Sequence, residues 1–260
     1  MSNSKILLNP TFIVRVLGIT AFILVLLSIA AVSADNLTGH NSVILHKLVK
    51  LFYVEFELNI PSFFSALILL FASLILAVIT ILKRKQKDLY KIEWAVLSMG
   101  FLLMAFDEII AVHERMIEPM REILGNENLG IFYFAWVIPM GVLVVFLAVF
   151  FFKFWWNLPS KTRLYFLIAA ILFLGGAVGF ELIESKHAEI YGKENLIYII
   201  LTTVEESLEM LGVIVFIKAL FSYTTETFGE IQLQLRSESD LPVLRKVENT
   251  KLIRFPQKTA

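Results

Sequence analysis

The chain has 260 residues, a net charge of zero at neutral pH and no cysteine. Balanced charge gives no general attraction to nucleic acid, and the lack of cysteine excludes disulfides, thiolate metal ligands and a cysteine nucleophile. Hydrophobic residues make up 58% and charged residues 18%, whereas soluble domains average roughly 45–50% and about 25%. The apolar residues occur in blocks of about 20 or more, the length that crosses a bilayer. The composition therefore predicts an all-α, polytopic membrane helix bundle.

The first apolar block begins near two basic residues, Lys5 and Arg15, and ends in small residues at Ala34. A basic start and a small-residue end also occur in signal peptides. The apolar run from Val16 is longer than the core of roughly 7–15 residues that such signals carry. We therefore expect a retained first transmembrane helix over residues 11–34.

Six apolar segments are long enough to cross the membrane. The predicted spans are residues 11–34, 62–82, 93–114, 131–152, 163–185 and 196–222. Basic residues cluster after the second span, after the fourth span and in the tail, at Lys83, Arg84, Lys85, Lys87, Lys153, Lys161, Arg163, Arg236, Arg245 and Lys246. Because Lys and Arg favour the cytoplasmic side, the sequence predicts six transmembrane helices with both termini in the cytoplasm and a location in the cytoplasmic (inner) membrane.

Residues 1–222 form the predicted transmembrane domain, and residues 223–260 form a polar cytoplasmic tail. Between the first two spans, apolar residues recur at helical spacing, which predicts an outer interfacial helix at about 42–58. Pro61 stands in the first turn of the second span, a position that suits proline. Alternating apolar residues over 231–235 indicate a short strand in the tail, and the tail is also a candidate binding segment for a protein partner.

Acidic and histidine side chains interrupt the third, fifth and sixth spans. They are Asp107, Glu108, His113 and Glu114 in the third, Glu181, Glu184 and His187 in the fifth, and Glu205, Glu206 and Glu209 in the sixth. With both termini inside, a rise of about 1.5 Å per residue puts these groups in the outer half of the bilayer in all three spans. The spacing therefore allows them to form one site.

The acids at membrane depth need a partner, because an ionised side chain at the bilayer centre costs about 2.5–3.5 kcal/mol on insertion scales. No Lys or Arg lies at their depth in the sequence, since Arg115 and Lys186 lie at the rim. Such acids are protonated, line water or hold a cation. Carboxylates and neutral imidazole are the usual ligands of zinc, iron and manganese. The predicted metal ligands are Asp107, His113, Glu114, Glu181, Glu184, His187, Glu205, Glu206 and Glu209.

Several short sequence motifs occur between the second span and the sixth. They are Asn59-Ile60-Pro61-Ser62-Phe63-Phe64-Ser65, Asp107-Glu108 with His113-Glu114, Trp136 with Pro139, Gly176 with Glu181, and Glu205-Glu206-x-Leu208-Glu209-Met210-Leu211-Gly212. This set resembles a group of bacterial six-span integral membrane proteins without an assigned activity. The resemblance implies the same membrane architecture and implies no reaction.

Four or more carboxylates and two histidines suit a di-iron or di-manganese centre, which would oxidise a lipid or quinone-like substrate. Glu184-x-x-His187 is the spacing that helix-bundle di-metal proteins use, whereas one zinc with a glutamate base suits hydrolysis. Two other interpretations stay open: a cation or proton transporter with the same acids, and a non-catalytic assembly subunit. The inner halves of the fourth and fifth spans are apolar, which favours a metal-dependent enzyme over transport. Membrane lipids and a lipid-like small molecule are the expected partners.

Overall fold

A computed structural model describes residues 9–39 and 41–229, and these residues fold almost entirely into helices. The α-helices are α1 (Pro10–Leu37), α2 (Val43–Phe52), α3 (Ile60–Lys85), α4 (Lys91–Ile110), α5 (Val112–Arg115), α6 (Ile117–Leu124), α7 (Val137–Trp156), α8 (Ser160–Leu174), α9 (Glu181–Tyr191) and α10 (Leu196–Phe228). A 3₁₀ turn at Gly130–Phe132 precedes α7, and a π-helical turn at Gly175–Phe180 joins α8 to α9. The predicted all-α fold is therefore confirmed.

Four helical segments of the described chain are long and apolar enough to cross a membrane: α1, α3, α7 and the segment Ser160–Tyr191, which runs from α8 through α9. A fifth candidate joins α4 to the segment Val112–Leu124 and is bent by 68°. These long apolar helices indicate a membrane-embedded protein. The predicted sixth span corresponds to α10, which carries several glutamates and is not among the candidates.

α10 is the central helix of the bundle. It packs against α1, α3, α8, the π-helical turn and α9, and most of its side chains from Met210 to Tyr223 are buried. Its neighbours therefore cover much of α10 and bury Thr202 and Glu205, whereas Leu211 and Lys218 are exposed. α1 and α7 lie at the edge instead and expose large apolar side chains such as Phe22 and Phe146.

Aromatic side chains fill the part of the core that lies toward the C-terminal half of α10. Phe101 of α4 stacks on Phe216 of α10 with ring centroids 4.6 Å apart. Trp94, which is buried, contacts Tyr223 at 4.8 Å and Phe154 at 4.9 Å. This aromatic packing continues the apolar core beyond the glutamates of α10.

At two places the helix bounds differ from the predictions because tertiary contacts hold the neighbouring backbone. α7 begins at Val137, later than predicted, since the preceding segment binds α9: the amide of Phe134 donates a hydrogen bond to the hydroxyl of Ser185 (3.0 Å). α2 ends at Phe52, and the remainder of the predicted helix 42–58 is irregular. The strand predicted in the tail lies outside the described residues.

Two glycines allow α10 to approach α8 and the π-helical turn closely. A Cβ atom at Gly212 would lie 2.7 Å from the backbone nitrogen of Phe173, and a Cβ atom at Gly176 would lie 2.8 Å from the carbonyl oxygen of Glu205. Both contacts are with backbone atoms, which cannot move without shifting a helix. The packing of these helices therefore depends on the absence of a side chain at both positions.

Gly212→Ala should lower the thermal stability, because the new methyl group forces α10 away from α8. Overpacking of this kind typically costs about 1–3 kcal/mol. Gly100→Ala is the matched control, since a Cβ atom at this helical glycine would have no described atom within 4 Å. Alanine should leave the melting temperature of that variant level or raise it. Melting curves in detergent measure both effects, and equal melting temperatures for the two variants would contradict the close packing.

Candidate metal site

The break after α4 brings Asp107 and His113 together. Asp107 Oδ1 accepts hydrogen bonds from the amides of Val112 (3.0 Å) and His113 (3.2 Å), and Asp107 Oδ2 lies 2.6 Å from Nδ1 of His113. Ala111 adopts a left-handed conformation (φ 50°, ψ 51°) in this turn, so the predicted span 93–114 bends where the sequence has no glycine or proline. Asp107, one of the predicted metal ligands, contacts the imidazole of His113 in this turn.

Two further carboxylates lie around this imidazole. The ligand atoms of Glu57, His113 and Glu114 lie within 4.8 Å of one another, and we term these three residues the histidine cluster. Because Asp107 binds Nδ1, Nε2 is the nitrogen left for a ligand. Glu57 Oε2 is buried and has no hydrogen-bond partner among the described residues. The cluster offers the nitrogen and oxygen ligands that zinc, iron and manganese bind.

A second set of acids lies where α9 meets α10. The carboxylate oxygens of Glu181, Glu184 and Glu205 lie within 4.8 Å of one another, and we term these residues the carboxylate cluster. The side chain of Glu184 is 1% exposed, and its Oε1 atom lacks a hydrogen-bond partner in the described part of the chain. A buried acceptor without a partner is costly, so this cluster needs a proton or a cation.

The local backbone explains why the α9 acids reach α10. The π-helical turn Gly175–Phe180 ends directly before Glu181, and π-helical turns are frequent at functional sites. Gly176 in this turn lies against the backbone of Glu205. Glu181 and Glu184 are three residues apart and therefore share a helix face. Close packing and helical spacing together bring the three carboxylates into one place.

Trp136 connects the two clusters. Its indole Nε1 donates a hydrogen bond to Glu181 Oε1 (2.8 Å). Its ring also lies against the imidazole of His113, with ring centroids 5.0 Å apart. The tryptophan, which the sequence did not mark as a site residue, therefore contacts a member of each cluster and orients the carboxylate of Glu181.

Glu206 and Glu209 lie close to the clusters without belonging to either. Each interacts electrostatically with the other and with Glu108, and Glu209 also interacts with His113 and Glu181. These interactions require the acids of α4, α9 and α10 to lie in one region. Of the predicted ligands, the structure places Glu181, Glu184 and Glu205 in one cluster and His113 and Glu114 in the other, whereas Asp107, Glu206 and Glu209 belong to neither.

His187 lies apart from both clusters. Its Nε2 atom lies 2.7 Å from Oδ1 of Asn195, and its ring contacts Tyr191. Asn195 Oδ1 also accepts a hydrogen bond from the amide of Tyr198 at the start of α10. One helical turn beyond Glu184, the side chain of His187 reaches this connecting turn, so the structure does not bring the two residues of the predicted Glu-x-x-His pair together.

The segment between α2 and α3 supplies an acid that the sequence analysis missed. Asn59 Nδ2 donates a hydrogen bond to the carbonyl of Tyr53 (2.6 Å), and the amide of Val54 donates to the hydroxyl of Ser28 (3.2 Å). These bonds fix the segment against α1 and the start of α3. Glu57 therefore reaches the histidine cluster from a segment that is not helical.

A second acid of this segment lies nearby. Glu55 accepts hydrogen bonds from the hydroxyl of Tyr198 (2.8 Å) and from Lys193 Nζ (3.4 Å). Glu55 and Glu57 interrupt a stretch that the sequence analysis interpreted as an apolar interfacial helix. Two acids within such a stretch are the signal that could have indicated site residues there.

A family model described as Domain of unknown function (DUF8692) matches residues 16–224. The chain belongs to this family. The matched region contains every residue of both clusters, and membership agrees with the resemblance to a group without an assigned activity. No curated protein and no solved structure matches the chain.

Burial makes the acids of this segment difficult to ionise. It raises the pKa of Glu57 to about 7, against the opposing charge of His113 and with added repulsion from Glu114. Burial also raises the pKa of Glu55, although Lys193 favours the charged form. Near neutral pH, a carboxylate at Glu57 therefore requires a positive partner, which a bound cation would supply in place of the proton.

In metal-free protein, Glu57 should make the stability depend on pH. Its pKa is about 7 in the folded state against 4.5 for the free side chain, so the folded state binds this proton more tightly. The resulting stabilisation is fully present below about pH 4.5 and is lost as the pH rises through about 7. Glu57→Gln should therefore reduce the fall in melting temperature over this range.

Glu122→Gln is the control for this measurement, because Glu122 is an exposed acid of α6. Its melting temperature should follow that of the unsubstituted protein at each pH. Parallel pH profiles for Glu57→Gln and Glu122→Gln would contradict the raised pKa of Glu57.

Proposed function

We propose that this chain is a metal-binding integral membrane protein, with zinc or a transition metal at the histidine cluster, in the outer half of a bacterial cytoplasmic membrane. One observation carries the proposal: Asp107 holds Nδ1 of His113, and the ligand atoms of Glu57 and Glu114 lie within 4.8 Å of the imidazole ligand atom. A carboxylate that orients a histidine in this way is typical of metal-ligating histidines, because it fixes the tautomer and the ring.

The charge balance supports a cation at this site. Among the described residues, two acids near the site form ion pairs. Asp107 pairs with His113 (2.6 Å) and Glu55 pairs with Lys193 (3.4 Å). The remaining acids of the two clusters and their surroundings have no Lys or Arg within ion-pair distance among the described residues. They are Glu57, Glu108, Glu114, Glu181, Glu184, Glu205, Glu206 and Glu209. A divalent cation would offset negative charge that is costly to bury alone.

The proposed topology has six spans with both termini in the cytoplasm. α10 has 33 residues and is therefore about 50 Å long, more than the roughly 30 Å of the hydrocarbon layer. Glu205 is buried and Glu206 and Glu209 are partly buried, so these acids do not prevent the helix from spanning. The last turn of α3 carries Lys83, Arg84 and Lys85, which favours a cytoplasmic end there.

A metal-dependent enzyme that acts on a lipid or quinone-like substrate is the activity that fits this site best. A metal held by imidazole and carboxylates supplies Lewis acidity or redox chemistry. Glu114 is exposed while its two partners are partly buried, so a substrate can approach the cluster from that side. Transport ranks second, since a relay needs polar groups that continue inward, whereas Phe101 and Phe216 stack in the core beyond the acids.

Protein purified without chelators should carry about one or two equivalents of zinc or a transition metal. His113→Ala should lose the metal of the histidine cluster and melt at a lower temperature, because a ligand that binds only the folded state stabilises it. Elemental analysis and melting curves in detergent measure both effects. Wild-type protein with less than about 0.2 equivalents would contradict a metal site of useful affinity.

Glu189→Gln is the structural control for these measurements. Glu189 accepts hydrogen bonds from the amides of Leu129 (2.7 Å) and Gly130 (2.8 Å) and thereby holds the segment before α7. Glutamine keeps one acceptor oxygen and introduces a donor, so this variant should melt at a lower temperature with unchanged metal content. Loss of metal in His113→Ala can then be separated from a general loss of stability.

The topology can be tested by cysteine labelling, because the chain has no cysteine of its own. Glu127→Cys lies in the exposed segment after α6 and should react with an impermeant thiol reagent from outside the cell. Gln86→Cys, in the exposed turn after α3, is the matched control and should react after the cells are opened. The reverse pattern would place the acids near the cytoplasmic surface.

A further inference from the structure

We propose that the carboxylate cluster of Glu181, Glu184 and Glu205 is a second metal site, which binds a divalent cation of the class that prefers oxygen ligands, such as Mn²⁺ or Mg²⁺. The two clusters share no ligand, so this site does not depend on the metal proposed for the histidine cluster. It adds a second cation of different chemistry to the same end of the bundle.

The strongest support is the side chain of Glu184. It is 1% exposed, and its Oε1 atom is buried without a hydrogen-bond partner among the described residues. Glu184 also contributes a carboxylate oxygen that lies within 4.8 Å of carboxylate oxygens of Glu181 and Glu205. A cation among the three carboxylates would satisfy an acceptor that the folded protein otherwise buries at a cost.

The backbone holds the three carboxylates in place before any ligand binds. Glu181 and Glu184 project from one face of α9, and the close contact of Gly176 with the backbone of Glu205 fixes α10 against the turn that precedes α9. The indole of Trp136 donates a hydrogen bond to Glu181 Oε1 (2.8 Å), which orients that carboxylate. Preformed ligands and an oriented outer contact are features of functional metal sites.

The ligand type decides the class of cation. All three members of the cluster offer carboxylate oxygens, whereas the histidine cluster also offers the imidazole of His113. Oxygen-only sites suit Mg²⁺, Ca²⁺ and Mn²⁺, while imidazole favours zinc and iron. Glu209 is a further carboxyl group near this cluster. The two sites should therefore differ in metal preference.

Mn²⁺ is the probe for the test, because its binding can be followed by electron paramagnetic resonance. Metal-free, full-length protein in detergent is titrated with Mn²⁺ in the unsubstituted form and in His113→Ala, Glu184→Gln and Glu122→Gln. His113→Ala and Glu122→Gln should retain the Mn²⁺ of the carboxylate cluster. Glu184→Gln should bind it about tenfold more weakly or worse and lose the rise in melting temperature that Mn²⁺ produces in the unsubstituted protein.

A fluorescence measurement locates the bound ion. Paramagnetic Mn²⁺ at the carboxylate cluster should quench Trp136, since its indole contacts Glu181. Measured in the His113→Ala background, the quenching should disappear when Trp136→Phe is added, at Mn²⁺ concentrations high enough for electron paramagnetic resonance to show the ion bound, because loss of the indole hydrogen bond weakens binding. Persistent quenching in that double variant would place the ion elsewhere and overturn the assignment.

The opposite result is equally specific. If the three acids were protonated and bonded to one another, Glu184→Gln would keep the hydrogen bonding, remove an ionisable group and leave stability level or higher. Unchanged Mn²⁺ binding with such a level or raised melting temperature would overturn the proposal. Glu205→Gln gives the same contrast if Glu184→Gln does not fold. Zinc retained by the unsubstituted protein and lost in His113→Ala tests the histidine cluster separately, so the two proposals can fail independently.

Discussion

The structure depends on one constraint: a large group of carboxylates must lie inside an apolar helix bundle without facing lipid. α10 meets this constraint by its central position, since α1, α3, α8 and α9 pack against it. The same position explains why α10 can be less apolar than the helices at the edge. α1 and α7 expose many of their side chains and contain few charged residues, whereas α10 contains several. Burial by neighbouring helices thus accommodates acidic side chains of α10 inside an otherwise apolar bundle.

Three departures from regular helix lie next to the acids. The left-handed turn at Ala111 follows Asp107, the π-helical turn ends at Glu181, and the irregular segment between α2 and α3 carries Glu57. A straight helix projects its side chains at fixed angles, so acids from several helices seldom converge on one point without a local change in the backbone. The irregular turns therefore direct acidic side chains toward one another. Such turns are frequent at functional sites, which need a geometry that regular helices do not provide.

The sequence predicted the helical class and the gathering of acids, because apolar blocks and intramembrane carboxylates are strong local signals. It did not predict the turn at Ala111, since alanine gives no sign of a break and the capping by Asp107 requires that the chain has already turned. Glu57 was missed for a similar reason, as its role comes from a segment fixed by distant contacts. His187 had suitable spacing from Glu184, yet Asn195 binds it. Spacing along one helix shows which side chains could bind one metal. Contacts with neighbouring elements determine which partners these side chains have.

The burial of Glu184 has a kinetic consequence. A side chain that is 1% exposed can be reached by an ion only when the surrounding structure opens, and local opening has its own free energy and rate. A cation at the carboxylate cluster would therefore exchange at the rate of this opening rather than at the rate of diffusion. The metal found in the protein would then record the ions present while the chain folded, and a brief change in the surrounding solution would leave it in place.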